Sequence, residues 1–271
     1  MLLLCVHDPS ISVAAAYRTL QANHRMTGTG IENASGPDQH SGRTRVTPIF
    51  RWLEAHGGDE WPTELLRVAE GIKVVDSVGK VISVCVGEER TVTPSPERLA
   101  WMIRNAHRLA PVDGRRWREY RTRIIDNPQK PTALAKLDAG STDISPQLKL
   151  EGSTHADCLV ECERAFVWIE GKRNDWLSPS ITWDVSRDQL ARNLEASWLL
   201  AKQASKDFWL LVCYEHELKH HEEELVHGYR AGTWKAGLPH LSAHVRALFQ
   251  TKIGTIRWGA VFINWPGMPK S

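Results

Sequence analysis

The stretch that most restricts the fold runs from Glu151 to Lys172, EGSTHADCLVECERAFVWIEGK. Two apolar runs rich in strand-forming residues flank Glu163 and Arg164, the pattern of a β-hairpin. If the turn is centred between Glu163 and Arg164, an antiparallel ladder sets Asp157 directly across from Glu170. Glu170 and Lys172 are two apart on one strand and so share a face. Asp157, Glu170 and Lys172 are thereby predicted to meet on one side of an otherwise apolar hairpin. Three charges in such surroundings need a metal, a substrate or water to accommodate them.

The text after the hairpin sets the fold class. From Ser186 the residues Leu190, Leu194, Trp198 and Ala201 recur on one helical face. DFWLLVCYE then follows, an apolar run of buried-strand length. A helix crossing between two strands predicts an α/β fold, with a mixed β-sheet flanked by helices on both faces. At 271 residues the chain suits one large α/β domain or a core with an accessory region. The expected division is an N-terminal accessory region over 1–90 and the α/β domain over 91–271.

Within the first part, 28–48 reads as a long loop and Ile49 to His56 and Thr63 to Val68 as short helices. Residues 72–86 read as a hairpin. Leu99, Met102, Ile103, Ala106 and Leu109 form a helical core stripe, and the proline-punctuated stretch 126–146 reads as a connecting loop. Near the end, a helical pattern through Leu241, Val245 and Phe249 precedes IRWGAVFINW, which is expected to pack on the sheet. Trp168 shares the parity of Glu170 and Lys172, with core packing favoured over stacking on a base.

The formal net charge of +2 gives no global argument for nucleic acid. The local argument lies in Arg104, Arg108, Arg115, Arg116, Arg118, Arg121 and Arg123, interleaved with Trp117 and Tyr120. Guanidinium groups bind phosphate in fork geometry, so Arg115, Arg116 and Arg118 are candidate nucleic-acid contacts; the plain alternative is a solvated helix surface. No apolar stretch reaches membrane-spanning length and the opening MLLLCVHDPS has no basic lead, so no membrane partner and a cytoplasmic location are expected. Five cysteines without a CxxC pair fit reduced thiols, with Cys158, Cys162 and Cys213 buried and inert.

Two opposed carboxylates repel unless a cation sits between them, and hard oxygen donors favour Mg or Mn. Such an ion activates water and polarises a phosphoryl oxygen, while Lys172 orients that water or offsets developing charge. These are the parts of phosphodiester hydrolysis. The alternative is a surface cross-strand salt bridge of little consequence. A competing motif is His216-Glu217-Leu218-Lys219-His220, which matches the HExxH zinc-protease signature. It lacks a downstream acidic ligand, and HELKHHEEELVHGYR reads more simply as a polar helix with Leu218, Leu225 and Tyr229 toward the core.

Asp157, then twelve residues, then Glu170-Gly171-Lys172 on an apolar strand, followed by a helix and a buried strand, resembles the PD-(D/E)XK nuclease superfamily. The longer text EGSTHAD, VWIEGKRND and ITWDVSRDQLARNLEASWLLA is similar to a poorly characterised bacterial group within it. The resemblance covers roughly 97–215, and Ala156 stands where the family pattern has proline. It implies a restriction-endonuclease-like core of order αβββαβ. It also implies metal binding by Asp157, Glu170 and the Gly171 carbonyl, and a nucleic-acid substrate, DNA rather than RNA, with a homodimer left open. A further acid is expected, Glu151 in preference to Glu97 or Glu119. Gln189 and Arg192, three apart on one helix face, would support the site or touch the scissile strand, and Arg187 at the helix start is placed for phosphate. For Gln189 the competing role is a capping box with Ser186. The alternative to a nuclease is an inactive nucleic-acid-binding protein of the same fold.

Overall fold

The computed structural model describes residues 46–73, 76–109, 118–148, 150–172, 177–178, 180, 184, 186–215, 218, 220–233 and 237–268. They belong to one compact unit, His40–Ser271; a second unit, Met1–Gln39, lies outside the described residues. In chain order the first elements are α1 (Thr47–His56), α2 (Trp61–Val68), β1 (Val81–Val86), β2 (Thr91–Val92), α3 (Pro96–Arg104) and α4 (Ala106–Leu109). A short π-helical turn, Arg121–Ile125, leads to α5 (Lys130–Asp138), β3 (Thr154–His155), β4 (Cys158–Cys162) and β5 (Ala165–Lys172). Then come α6 (Gln189–Ala204), β6 (Asp207–Tyr214), α7 (His220–Ala231), α8 (Ala243–Phe249), β7 (Ile253–Arg257) and α9 (Trp258–Asn264).

The hairpin forms in the expected register. Cys158 pairs with Ile169, Leu159 with Trp168, Val160 with Val167 and Glu161 with Phe166, with Glu163 and Arg164 in the turn. The sheet has the order β1-β4-β5-β6-β7, antiparallel from β1 to β5 and parallel from β5 to β7. It is a mixed five-stranded sheet flanked by helices. All eight residues of β5 are buried, as a central strand covered on both faces requires.

Alternation along the strands divides the core in two. Cys158, Val160, Val167, Ile169, Leu211 and Cys213 point toward α1, α2 and α9, where Phe50, Leu53, Trp61 and Trp258 cover them. Leu159, Phe166, Trp168, Phe208, Leu210 and Val212 point toward α6, α7 and Phe249 of α8. Trp168 is fully buried and lies in this core, not on a surface open to a base. A third cluster, from α3, α4, α5 and the π-helical turn, packs Leu99, Met102, Ile103, Tyr120, Ile124 and Leu137 around Leu148 and Leu150.

Four expectations change. Among the described residues of 72–86, β1 alone is a strand, and its partner is β4, 72 residues or more downstream in the register Val86↔Cys158. Local turn-formers could not reveal that pairing. The stretch 126–146 contains α5, because Pro131 sits in the first turn, where its missing N–H costs nothing, and Ala133 and Leu137 bury one face. The tail adds β7, a fifth strand parallel to β6. Finally, β1 belongs to the sheet and α1 and α2 cover it, so these residues of 1–90 belong to the α/β unit and do not form a separate region.

The outer side of β1 is protected by charge. Gly87 donates its N–H to the Asp157 carbonyl, so alternation turns the backbone groups of Val84 and Val86 away from β4. Arg51 Nη1 donates to the Val84 carbonyl at 3.1 Å, and the Val86 N–H goes to Glu89 Oε2 at 2.9 Å. Arg51 and Glu89 also bridge each other at 2.6 Å.

Candidate functional site

The candidate site sits where β4 and β5 part. The ladder ends at Cys158 and Ile169; one position further, the same register sets Asp157 level with Glu170. There Asp157 Oδ2 accepts the Gly171 N–H at 2.8 Å, in place of a further ladder bond. In a strand the N–H and C=O of one residue face the same edge, so the Gly171 carbonyl also faces the Asp157 side. Glycine is required at 171: a Cβ would come within 2.2 Å of Val46 Cγ2.

Glu170 and Lys172 form a buried pair. Lys172 Nζ lies 2.9 Å from Glu170 Oε1, with the two side chains only 8% and 6% exposed. A surface salt bridge is thereby excluded, and removing either partner would leave a charge stranded in the interior. Helix α6 completes the shell. Gln189 Nε2 donates to Glu170 Oε1 at 2.6 Å, and one turn later Asn193 Nδ2 donates to Oε2 at 2.9 Å. The other end of the Gln189 amide accepts the Ser178 N–H at 3.1 Å, tying down the segment after β5.

The helix start explains why Gln189 reaches the site. Asp188, not Ser186, is the N-cap: its Oδ1 accepts the Ala191 N–H at 2.8 Å and its Oδ2 the Tyr229 hydroxyl at 2.9 Å. Such a cap contributes about 1 kcal/mol. The Ser186 hydroxyl donates to Asp184 at 2.6 Å. Asp188 thus takes the cap that the competing reading gave to Ser186, and the Gln189 side chain is directed to Glu170.

A second polar cluster occupies the next face of α6. Glu151 does not join Asp157 and Glu170; its Oε2 accepts from Arg98 Nε at 2.8 Å and its Oε1 from Arg187 Nε at 3.0 Å. Arg98 also binds Asp184 at 2.7 Å, and Arg187 binds Glu195 at 2.8 Å and the Gly237 carbonyl at 2.9 Å. Glu195 Oε1 meets His240 Nε2 at 2.9 Å and the Ser95 hydroxyl at 3.2 Å. Burial alone would raise the Glu195 carboxyl, but the Arg187 charge and the His240 hydrogen bond outweigh it and hold it at about 2. For Arg187, burial works against the charge, yet Glu151 and Glu195 raise its pKa above the usual arginine value. Arg187 is 1% exposed and meets no solvent-borne phosphate.

Arg192 lies between the clusters. Its Nη2 donates to the carbonyls of Gly152 at 2.9 Å and Ser153 at 2.7 Å, and its Nε is 3.6 Å from Glu151 Oε1. Burial lowers its pKa, against the pull of Glu151 and, more weakly, of Glu170.

No family model, curated protein or solved structure matches this chain. The geometry of the site itself must therefore carry its interpretation.

The donor set suits a hard divalent ion: two carboxylates and a backbone carbonyl, all oxygen. Among the described residues no group of three or more His, Cys, Asp or Glu gathers to hold a metal. Glu170 Oε1 already accepts two hydrogen bonds and Oε2 one, which leaves Oε2 the greater capacity for another partner.

Other candidates fall elsewhere. Arg115 and Arg116 lie outside the described residues, as do His216 and Glu217 of the HExxH motif; Arg118 is exposed. The neighbouring arginines face acids, Arg104 with Asp138, Arg121 with Asp126 and Arg123 with Glu119. Cys158, Cys162 and Cys213 are free and buried, and burial pushes their thiols up, Cys162 to about 12. Asn193 and Arg98 were missed by the sequence reading. Asn193 had a signal, since it follows Gln189 at the i,i+4 spacing that shares a helix face. Arg98 had none, because its partners lie 53 and 86 positions away.

Proposed function

We propose that the chain is a metal-dependent nuclease with a restriction-endonuclease-like core, hydrolysing phosphodiester bonds in DNA. The observation that carries this reading is the buried Glu170–Lys172 pair at the end of β5, with Asp157 level with Glu170 and fixed by the Gly171 N–H. An α-helix cradles Glu170 from the side, as a ligand whose orientation matters would need. The order α2, β1, β4, β5, α6, β6 fits an αβββαβ core, with 87–157 inserted between its first and second strands.

Asp157, Glu170 and the Gly171 carbonyl would hold Mg or Mn. When bound, such an ion supplies Lewis acidity toward water and a phosphoryl oxygen. Lys172, whose ammonium meets Glu170, would orient water and offset charge developing on the phosphate. Gln189 and Asn193 hold the Glu170 carboxylate in one rotamer, and Gly171 N–H holds that of Asp157.

The test is incubation with plasmid, linear and single-stranded DNA and with RNA, in Mg, Mn or EDTA, beside Lys172→Ala and Asp157→Ala. Wild-type protein should cut DNA only with the divalent ion, and each variant should lose about 100-fold or more. A wild type that cuts nothing, or variants that cut equally well, sinks the nuclease reading.

A further inference from the structure

Helix α7 ends at Ala231, and Gly232 turns the chain with a φ of 71°. Its N–H goes to the Tyr229 carbonyl at 3.1 Å and that of Thr233 to the Gly228 carbonyl at 3.0 Å, a left-handed helix end that favours glycine. Glycine is also needed here for room, because a Cβ would collide with the Gln250 side-chain amide. On α8, Ala243 and Ala247 stand one turn apart and so share a face. These three small residues border a cavity of about 180 Å³, lined further by Tyr229, Leu238, Arg246, Phe249 and Gln250.

The apolar wall is fixed. Tyr229, Leu238 and Phe249 are at most 3% exposed, and Phe208 and Trp198 meet the Phe249 ring edge-on at centre distances of 5.8 and 6.5 Å. Ala243 and Ala247 are exposed and form the mouth. An apolar cavity of about 150 Å³ holds benzene, so this one has room for one ring with a small substituent.

The polar wall carries a charge. Arg246 Nη1 donates to the Leu238 carbonyl at 3.3 Å and to the Leu241 carbonyl. Both acceptors are neutral, and among the described residues no carboxylate pairs with this guanidinium. Arg104, Arg121 and Arg123, by contrast, each face an acid. The Nε–Nη2 edge of Arg246 has no hydrogen-bond partner among the described residues, and that edge is a two-donor fork that fits a carboxylate. The Gln250 side-chain amide, also without a hydrogen bond among the described residues, adds a donor and an acceptor to the same cavity.

We propose that this cavity binds a small organic carboxylate, its acid group on the Nε–Nη2 edge of Arg246 and a ring-sized apolar body against Tyr229, Leu238 and Phe249. None of Asp157, Glu170 and Lys172 lines the cavity, so the proposal stands apart from the nuclease reading.

The test is a titration of the full chain with benzoate, benzamide and acetate, read by the methyl NMR signals of its alanines, beside Arg246→Gln and Ala247→Leu, each first checked by thermal melting. Benzoate should shift the Ala243 and Ala247 signals and bind with a dissociation constant of about 1 mM or tighter. Benzamide, which lacks the charge, and acetate, which lacks the ring, should each bind about tenfold more weakly. Arg246→Gln should weaken benzoate about tenfold and leave benzamide within about twofold, whereas Ala247→Leu, which fills the mouth and keeps the guanidinium, should weaken both about tenfold. No benzoate binding at about 10 mM, benzamide or acetate binding as tightly as benzoate, or benzoate binding that Arg246→Gln leaves unchanged overturns the site. Should Arg246→Gln fail to fold, loss of benzoate binding in Ala247→Leu together with the preference of wild type for benzoate over benzamide supports the proposal, and the absence of either overturns it.

Discussion

Helix α6 serves two polar clusters that differ in how their charge is satisfied. Around Glu151 and Glu195, arginines 98 and 187 supply direct partners, and the side chains are at most 2% exposed. Around Glu170 the partners are one lysine and two neutral amides, and Asp157, half-buried, accepts the Gly171 N–H. The first cluster is arranged to hold α3, the segment before β3 and α6 together. The second holds the Glu170 carboxylate between β5 and α6, beside Asp157. The two clusters differ, then, in the share of their hydrogen bonds that come from neutral amides rather than from arginines.

The largest effect that tests this contrast is expected from Arg187→Met. Among the described residues it leaves Glu195 with His240 and Ser95 as hydrogen-bond partners and removes one partner of Glu151, costing about 4 kcal/mol in urea unfolding. A loss under about 1 kcal/mol would mean that the cluster is not structural.

Next in size is an acid limb. Glu195 is held at about 2 in the folded state, below its unfolded value near 4.5. Its contribution, of order 3 kcal/mol, is fully present above pH 4.5 and is lost as pH falls from there toward 2. Unfolding measured between pH 5 and 3 should show this loss, and Glu195→Gln should flatten it.

Glu151→Gln is expected to cost about 2 kcal/mol of stability while leaving cleavage per folded molecule within about twofold. If cleavage instead falls 100-fold at unchanged stability, Glu151 belongs with the metal ligands and the contrast breaks. The smallest effect is that of Asn193→Ala, about 1 kcal/mol, with a higher Mg concentration needed for half-maximal cleavage. An unchanged Mg requirement would reduce Asn193 to a packing role.

The sequence disclosed what depends on short spacing. The turn at Glu163 and Arg164 fixes the register, the register fixes Asp157 against Glu170, and parity adds Lys172. The period of α6 and the apolar run of β6 likewise show in local text. What stayed hidden depends on distant encounters. β1 finds β4 across residues 87–157, and Arg98 finds Glu151 across 53 positions. Such pairings leave no periodic mark. In α5 the error was of another kind: Pro131 looked like a breaker, although the first helical turn tolerates it.

The charged dressing of β1 has a consequence for the protein in bulk. A sheet edge with open amides and carbonyls can recruit a strand from a neighbouring molecule and begin a fibril. Here a guanidinium from α1 occupies one acceptor and a glutamate one donor, and both are paired to each other. Arg51, far along the chain from any proposed chemistry, thereby helps to leave these two groups of β1 unavailable to a strand from another copy.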